Sequence, residues 1–308
     1  MNNVAVILST FNGERYIKEQ LNSILEQTYQ NIDIFIRDDG SNDATLEIIN
    51  QTKDNNTTTK NIYLIQDELG NLGYGESFKQ IINSVNGYDY YAMCDQDDFW
   101  LPNKIERAVN HISEYPQDKL ILYSAAYWIC DEELNKRKLF DLCFDKDKVT
   151  LAKVFMEGLV SGFTVVFNNT LKQKAFSDLE EKIVSHDKWL SCIVIGTSGV
   201  FIYDDEPTAC YRRHFNTASA TDQSVAERIK WKWKHVLQGD FFDRTLKLIF
   251  DYKKHFGNEV IKEEDVKFLN IFTSGRKIKR FFYGKRLRKR LTDELAIRFL
   301  LLFKQVKA

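Results

Sequence analysis

Val4-Ala5-Val6-Ile7-Leu8-Ser9-Thr10-Phe11-Asn12-Gly13 is the stretch that decides the fold. Val4 to Ser9 is a continuous run of buried-strand type, and Glu14 to Gln27 then sets Tyr16, Ile17, Leu21, Ile24 and Leu25 on one helical face. The unit repeats. Ile32 to Arg37 reads as a second strand, followed by a helix through Ala44, Leu46, Ile48 and Ile49 that Ser41 or Asn42 can cap. Asn61 to Gln66 is a third strand, Ser77 to Val85 a third helix and Tyr88 to Cys94 a fourth, aromatic-rich strand. This alternation predicts an α/β fold with a mostly parallel sheet flanked by helices.

Farther along, a helix through Ile105 and Val109 follows Pro102. Leu120 to Ile129 and Val160 to Phe167 read as strands, and Leu171 to Ile183 and Asp187 to Ile195 as helices. From Asp222 onward the pattern is helical and basic. Residues 1–225 carry 21 Lys and Arg against 34 Asp and Glu, whereas residues 226–308 carry 22 against 10. The expected division is a catalytic domain over 1–222 and a basic helical region over 223–308.

The 308-residue chain has 44% hydrophobic and 28% charged residues, which excludes disordered and fibrous classes. No apolar run is long enough to cross a bilayer, and no basic stretch precedes the first apolar segment, so secretion and membrane spanning are not expected. Cys94, Cys130, Cys143, Cys192 and Cys210 are widely spaced without a CxxC pair, and read as reduced core residues of a cytoplasmic protein.

Ligands of parallel α/β sheets sit at the carboxyl ends of strands. Here those ends are Ser9-Thr10-Phe11-Asn12-Gly13, Asp38-Asp39-Gly40-Ser41 and Asp95-Gln96-Asp97-Asp98, which gather five acidic side chains at one edge. Taken alone, Asp38 to Ser41 is a turn with an N-cap, and Asp95 to Asp98 a solvated acidic loop. Together they offer an acid for a base N–H, hydroxyls, one aromatic face and a hard-cation site suited to Mg²⁺ or Mn²⁺.

With Ile36-Arg37-Asp38-Asp39-Gly40-Ser41 and Cys94-Asp95-Gln96-Asp97-Asp98-Phe99-Trp100-Leu101-Pro102 beside the opening segment, the chain resembles family 2 glycosyltransferases of GT-A fold over roughly residues 3–217, nearest the bacterial rhamnosyltransferase-like branch of surface-polysaccharide synthesis. The resemblance implies inverting transfer of rhamnose or a hexose from a dTDP- or UDP-sugar to a glycan hydroxyl, assisted by Mg²⁺ or Mn²⁺. It assigns Thr10, Phe11 and Asn12 to the nucleotide-contacting segment, Asp39 to the pyrimidine, Asp95 to the ribose and Asp97 to the metal. Asp187, in Ser185-His186-Asp187-Lys188-Trp189-Leu190, matches the catalytic base, although His186 stands where many members have an acid. Tyr211-Arg212-Arg213-His214 resembles a segment that supplies cations for the leaving group or, through His214, a further metal ligand. Ser161-Gly162 resembles the acceptor-side loop, and Trp100, Trp128 and Trp189 are candidates to stack on sugars.

A phosphoryl-transfer enzyme with Asp95 as nucleophile is a poor alternative, since such acids follow a first strand. A non-catalytic carbohydrate-binding or scaffold protein on the same fold is the other, and Asp39, Asp97 and Asp187 together argue against it. Nine Lys or Arg and no acid between Arg276 and Arg290, interleaved with Ile278, Phe281, Phe282, Tyr283 and Leu287, suit an anionic membrane surface, where a lipid-linked acceptor is found. The expected location is therefore the inner face of the cell membrane. An oligomer contact is the competing use of that segment, and nucleic acid is not an expected partner.

Overall fold

The computed structural model describes residues 2–141, 149–183, 185–213, 241–274, 276–288 and 291–303. They divide into two compact units, one of Met1–Cys143, Val160–Leu190 and Gly199–Arg213, the other of Phe144–Leu159, Ser191–Ser198 and His214–Ala308. The division expected at residue 222 falls outside the described residues. Two short segments from the middle of the chain accompany the C-terminal residues in the second unit.

The first unit holds β1 (Val4–Thr10), α1 (Ile17–Leu25), β2 (Ile32–Asp38), α2 (Thr45–Asp54), β3 (Asn61–Ile65), α3 (Tyr74–Ser84) and β4 (Tyr90–Cys94). The alternation read from the sequence is thus present. β5 (Phe99–Trp100), α4 (Lys104–Ser113), β6 (Ile121–Ala125), β7 (Tyr127–Cys130) and β8 (Lys136–Phe140) follow. After a gap come β9 (Val166–Asn168), α6 (Asn169–Phe176), the start of α7 (His186–Gly196), β10 (Val200–Asp204) and β11 (Ala209–Arg212).

The main sheet runs β10-β6-β9-β4-β1-β2-β3. β1 lies at its interior, parallel to β2 and β4, and Val4 to Leu8 are wholly buried, which is why their side chains need no alternation. β9 alone runs antiparallel, between β4 and β6. It is shorter than the strand expected over Val160 to Phe167, because Gly162–Thr164 forms a 3₁₀ turn first.

The single strand expected over Leu120 to Ile129 is two. β6 pairs with β10 in the main sheet, whereas β7 pairs with β11 in a second sheet ordered β5-β11-β7-β8. Ala126 alone joins them: its N–H donates to Asp204 O (2.9 Å), and its carbonyl accepts from Thr208 N (3.0 Å). Nothing in the local sequence marks the break.

The second unit is helical, with α5 (Leu151–Glu157), α8 (Phe241–Phe256), α9 (Glu263–Thr273), α10 (Lys277–Phe281) and α11 (Leu291–Phe303). Its core is aromatic: Phe155 meets Tyr252 edge-on at 5.5 Å and stacks on Phe268 at 5.9 Å. Thr150 caps α5, and the Leu151 N–H donates to Asp265 (3.0 Å). Among the described residues no helix is long and apolar enough to cross a membrane. Cys94, Cys130, Cys192 and Cys210 are buried thiols, and Cys143 lies outside the described residues.

Candidate active site

The loops after β1 and β2 form one hydrogen-bonded frame. Thr10 Oγ1 donates to Asp38 Oδ1 (2.9 Å), whose other oxygen accepts from Ser41 N (2.8 Å). Asn12, with a left-handed φ of 48°, donates from its N–H to Ser41 Oγ (2.8 Å) and accepts from Asn42 N at its side chain (2.9 Å). Phe11 stands beside these ties as a 45% exposed residue, an aromatic side chain open at the strand end.

Asp39 is buried and accepts from three protein donors, which leaves one of the roughly four acceptor positions of a carboxylate for a base N–H. Its carboxylate accepts from Arg37 Nη1 (2.5 Å), Leu72 N (2.8 Å) and Gly73 N (2.8 Å). Arg37, buried too, also forks onto Asp67 at 2.7 and 3.0 Å. Neither partner was legible beforehand, because Arg37 reads as an alternate residue of a strand and residues 67–73 as a loop. Asp39→Ala leaves the Leu72 and Gly73 N–H groups without acceptors and takes the ionic partner from Arg37 Nη1, which keeps only Ser77 Oγ (3.1 Å). It is expected to cost about 1.5–3 kcal/mol of stability, the range for hydrogen bonds to a charged group. Urea unfolding checks this, and an unchanged midpoint would refute it.

Asp95 and Asp97 flank Gln96 at the end of β4. Asp95 accepts from the Tyr74 hydroxyl (3.1 Å), and its carboxyl is pushed up to about 7, first by burial and then by Asp97, with Asp187 adding to the shift. Asp98 is wholly buried: Oδ1 accepts from Arg212 N (3.2 Å), and Oδ2 has no hydrogen-bond partner. Burial and the two neighbouring carboxylates raise it strongly. Lys104 is buried against Trp100, its ammonium 4.9 Å from the ring centroid, and burial lowers it to about 8. Asp98 favours the charged form of Lys104, against the effect of burial.

Arg212 does not stand open as a leaving-group cation. Its buried guanidinium donates to the Asp97 carbonyl (3.0 Å), to the Glu132 carbonyl and to Glu19, and lies 4.7 Å over the Tyr16 ring. It therefore ties the backbone of the acidic loop in place. His214, expected as a metal ligand, lies outside the described residues. Trp100 and Trp189 are buried and unable to stack on sugar, and Trp128 is half-buried under Lys136, 5.1 Å from its ring centroid.

Asp187 opens α7, half-buried, and accepts from Ser185 Oγ and from Lys188 N (2.7 Å). Beside it His186 is buried, its ring 4.5 Å from Phe78 and 5.3 Å from Tyr74, with neither nitrogen hydrogen-bonded. Burial pulls its pKa down against the pull of Asp187, which keeps it neutral. Gly162 is required there, since a Cβ would come within 2.8 Å of His186 Nε2. Tyr74, itself more than half exposed, joins the acids through its hydrogen bond to Asp95, and the charges of Asp95 and Asp187 raise its hydroxyl.

Among the described residues no three His, Cys, Asp or Glu side chains converge as a protein-only metal cage. Asp95 and Asp97 instead form a hard oxygen pair of the kind that binds Mg²⁺ or Mn²⁺ together with substrate phosphates and water. A cation there would offset both the burial that chiefly raises Asp95 and the repulsion that Asp97 adds.

Residues 5–179 match the family described as Glycosyl transferase family 2. A dTDP-rhamnosyl transferase of Shigella flexneri, RfbG, is 29% identical over 72% of this chain and 77% of its own. An uncharacterized glycosyltransferase of Methanocaldococcus jannaschii is 32% identical over 62% of this chain and 64% of its own. In fold, the chain is similar to S. aureus TarS 1–349 in complex with UDP-GlcNAc, with a TM-score of 0.56 and 16% identity over 97% of this chain and 90% of that one. It is likewise similar to the Pyrobaculum calidifontis mannosyltransferase PcManGT in complex with GDP-Man and Mn²⁺, with a TM-score of 0.52 and 14% identity over 98% and 87%. The strand-end acids of an α/β sheet, a family match over more than half the chain and these likenesses agree: the chain belongs to glycosyl transferase family 2 and has the GT-A fold.

Proposed function

We propose that the protein is an inverting, divalent-metal-dependent transferase moving rhamnose or a hexose from a dTDP- or UDP-sugar to a hydroxyl of a lipid-linked surface-polysaccharide acceptor. The observation that supports this reading is that Asp187 adds to the upward shift of both Asp95 and the Tyr74 hydroxyl, as expected of a carboxylate base near the donor-side acids. Asp39, with Thr10, Phe11 and Asn12, receives the base and ribose end, and Asp95 the ribose. The names of the relatives support either pyrimidine: RfbG is a dTDP-rhamnosyl transferase, and TarS was solved with UDP-GlcNAc.

The acceptor oxygen attacks the anomeric carbon from the face opposite the diphosphate, while Asp187 takes its proton. One C–O bond forms as the C–O bond to the diphosphate breaks, and the configuration inverts. When bound, Mg²⁺ or Mn²⁺ held by Asp97 with Asp95 nearby supplies Lewis-acid stabilisation to the leaving diphosphate. Ser185 and Lys188 orient Asp187, and His186 beside it is kept neutral by burial.

Assay of hydrolysis and transfer with a panel of dTDP-, UDP- and GDP-sugars tests this reading. Turnover of one pyrimidine donor with inversion is expected, and turnover of none, with no nucleotide diphosphate bound, would overturn it.

The second unit carries the surface proposed to meet the membrane. Leu291, Leu295 and Phe299 recur every fourth residue on α11 and are exposed, as are Ile278 and Phe282 on and just after α10. Glu294 fixes this presentation by accepting from Leu287 N and Arg288 N, both at 2.7 Å. Exposed Arg276, Lys279, Lys285 and Arg286 accompany the apolar residues, while Lys289 and Arg290 lie outside the described residues. Each basic residue contributes about 1 kcal/mol at an anionic surface. Changing these four to Gln is expected to release the protein from phosphatidylglycerol vesicles while transfer to a short soluble acceptor persists. An intact protein that ignores such vesicles at low salt would refute membrane docking.

A further inference from the structure

β1 and β4 pair in parallel from Val4↔Tyr90 to Leu8↔Cys94, and there the backbone ladder ends. A side chain continues it. Phe11 N–H donates to Gln96 Oε1 (2.9 Å), and Gln96 Nε2 donates back to the Phe11 carbonyl (3.0 Å), so one amide exchanges both hydrogen bonds with one residue. The pattern is that of a rung between strands, made here without a strand.

Three features make this contact specific. A Cβ on Gly13 would stand 2.4 Å from Gln96 Oε1, so the backbone leaves room for the amide only because residue 13 is glycine. The same short segment is held from its other side by Ser41 at Asn12 N (2.8 Å) and by Thr45 Oγ1 at Gly13 N (2.8 Å), so Gln96 closes a frame already fixed along one edge. Finally, the contact needs a donor and an acceptor at the reach of a Gln side chain. Glu would turn an acceptor on the Phe11 carbonyl and add a charge among Asp95, Asp97, Asp98 and Asp187, while Asn is one carbon short.

We infer that Gln96 is a positioning residue that locks the Phe11 segment to the loop bearing Asp95 and Asp97, so that base-side and diphosphate-side contacts of the donor are set in one rigid register. The inference rests on the donor-site reading above and explains the middle residue of the Asp-x-Asp sequence, which that reading leaves without a task. Rigid loops bind at lower ordering cost, and the cost returns when the lock is removed.

The test is calorimetric binding of UDP and dTDP, with and without Mn²⁺, to wild type, Gln96→Ala, Gln96→Met, Gly13→Ala and the Gly13→Ala/Gln96→Ala double variant, with thermal unfolding of each. Gln96→Met keeps length and packing without the amide, and serves where the Ala variant folds poorly. Both Gln96 variants are expected to bind about tenfold more weakly with and without metal, the loss expected for a pair of neutral hydrogen bonds. Donor KM should rise with that loss, and kcat at saturating donor should fall far less. Gly13→Ala should show the same loss, and the double variant no more than either single change, because all three break one contact. Wild-type affinity in Gln96→Met, or additive losses in the double variant, would overturn the lock. A fall in unfolding temperature with unchanged nucleotide binding would reduce Gln96 to a structural residue. A wild-type protein that binds neither nucleotide overturns the donor site and the lock together, which distinguishes that failure from one confined to Gln96.

Discussion

Asp187→Asn is expected to lower turnover by roughly two to four orders of magnitude, the share of rate that a positioned general base supplies. The substitution is nearly isosteric, and its carbonyl oxygen still accepts from Ser185 Oγ and Lys188 N, the two groups that orient the native carboxylate. The start of α7 keeps its local frame and loses only a charge at a helix N-terminus, a change of about 0.3–1 kcal/mol. What disappears is the ability to take a proton from the acceptor hydroxyl. Neutral His186 cannot substitute, because its ring is buried against Phe78 and Tyr74. Steady-state kinetics at saturating donor and acceptor measures the loss, and calorimetry with UDP or dTDP should give near wild-type affinity. Lost nucleotide binding with retained turnover at saturation would make Asp187 a binding residue.

Asp97→Ala is expected to abolish turnover at any Mg²⁺ or Mn²⁺ concentration while leaving the fold intact or slightly more stable. The site is crowded with like charges: Asp97 raises both Asp95 and Asp98, so removing it relieves repulsion. The Asp97 carbonyl, which Arg212 holds, survives the change. The readout apart from activity is thermal. A ligand that binds only the folded state stabilises it, by about 2.7 kcal/mol at a hundred times its dissociation constant. Mn²⁺ with UDP or dTDP should therefore raise the unfolding temperature of wild type and leave that of Asp97→Ala unmoved. Full activity of the variant in chelator would end the metal-assisted reading.

The alternation of β1 to β4 with their helices was legible because buried parallel strands and amphipathic helices leave different periods in the sequence. The strand-end acids were legible for a related reason, since topology fixes which ends of parallel strands face one way. What escaped depended on partners distant in the chain. Arg37 meets Asp67 and Arg212 meets Glu19, and neither pairing is encoded by a local pattern. Nothing local distinguishes Gln96, because its partner is a backbone 85 residues earlier. Leu120 to Ile129 read as one strand since apolar residues continue through Ala126, and only the pairing with β10 and β11 divides them. The second unit draws on 144–159 and 191–198 as well as on its C-terminal residues, an arrangement that a single composition boundary does not reveal.

The junction at Ala126 has a consequence for how this chain tolerates change in length. β6 and β7 lie beside β10 and β11, so two neighbouring strand pairs pass from one sheet to the other with a single residue as the joint on one side. A strand displaced by one residue turns every side chain to the opposite face. One residue added at Ala126 would thus invert Tyr127 to Cys130 against β11 while leaving Ile121 to Ala125 in place. β11 ends at Arg212, the residue that fastens the acidic loop, so the error would reach the donor-side carboxylates through the backbone. Residues 121–130 are therefore a spacer of fixed length, where an insertion does more harm than most substitutions, although no side chain among them is assigned to the chemistry.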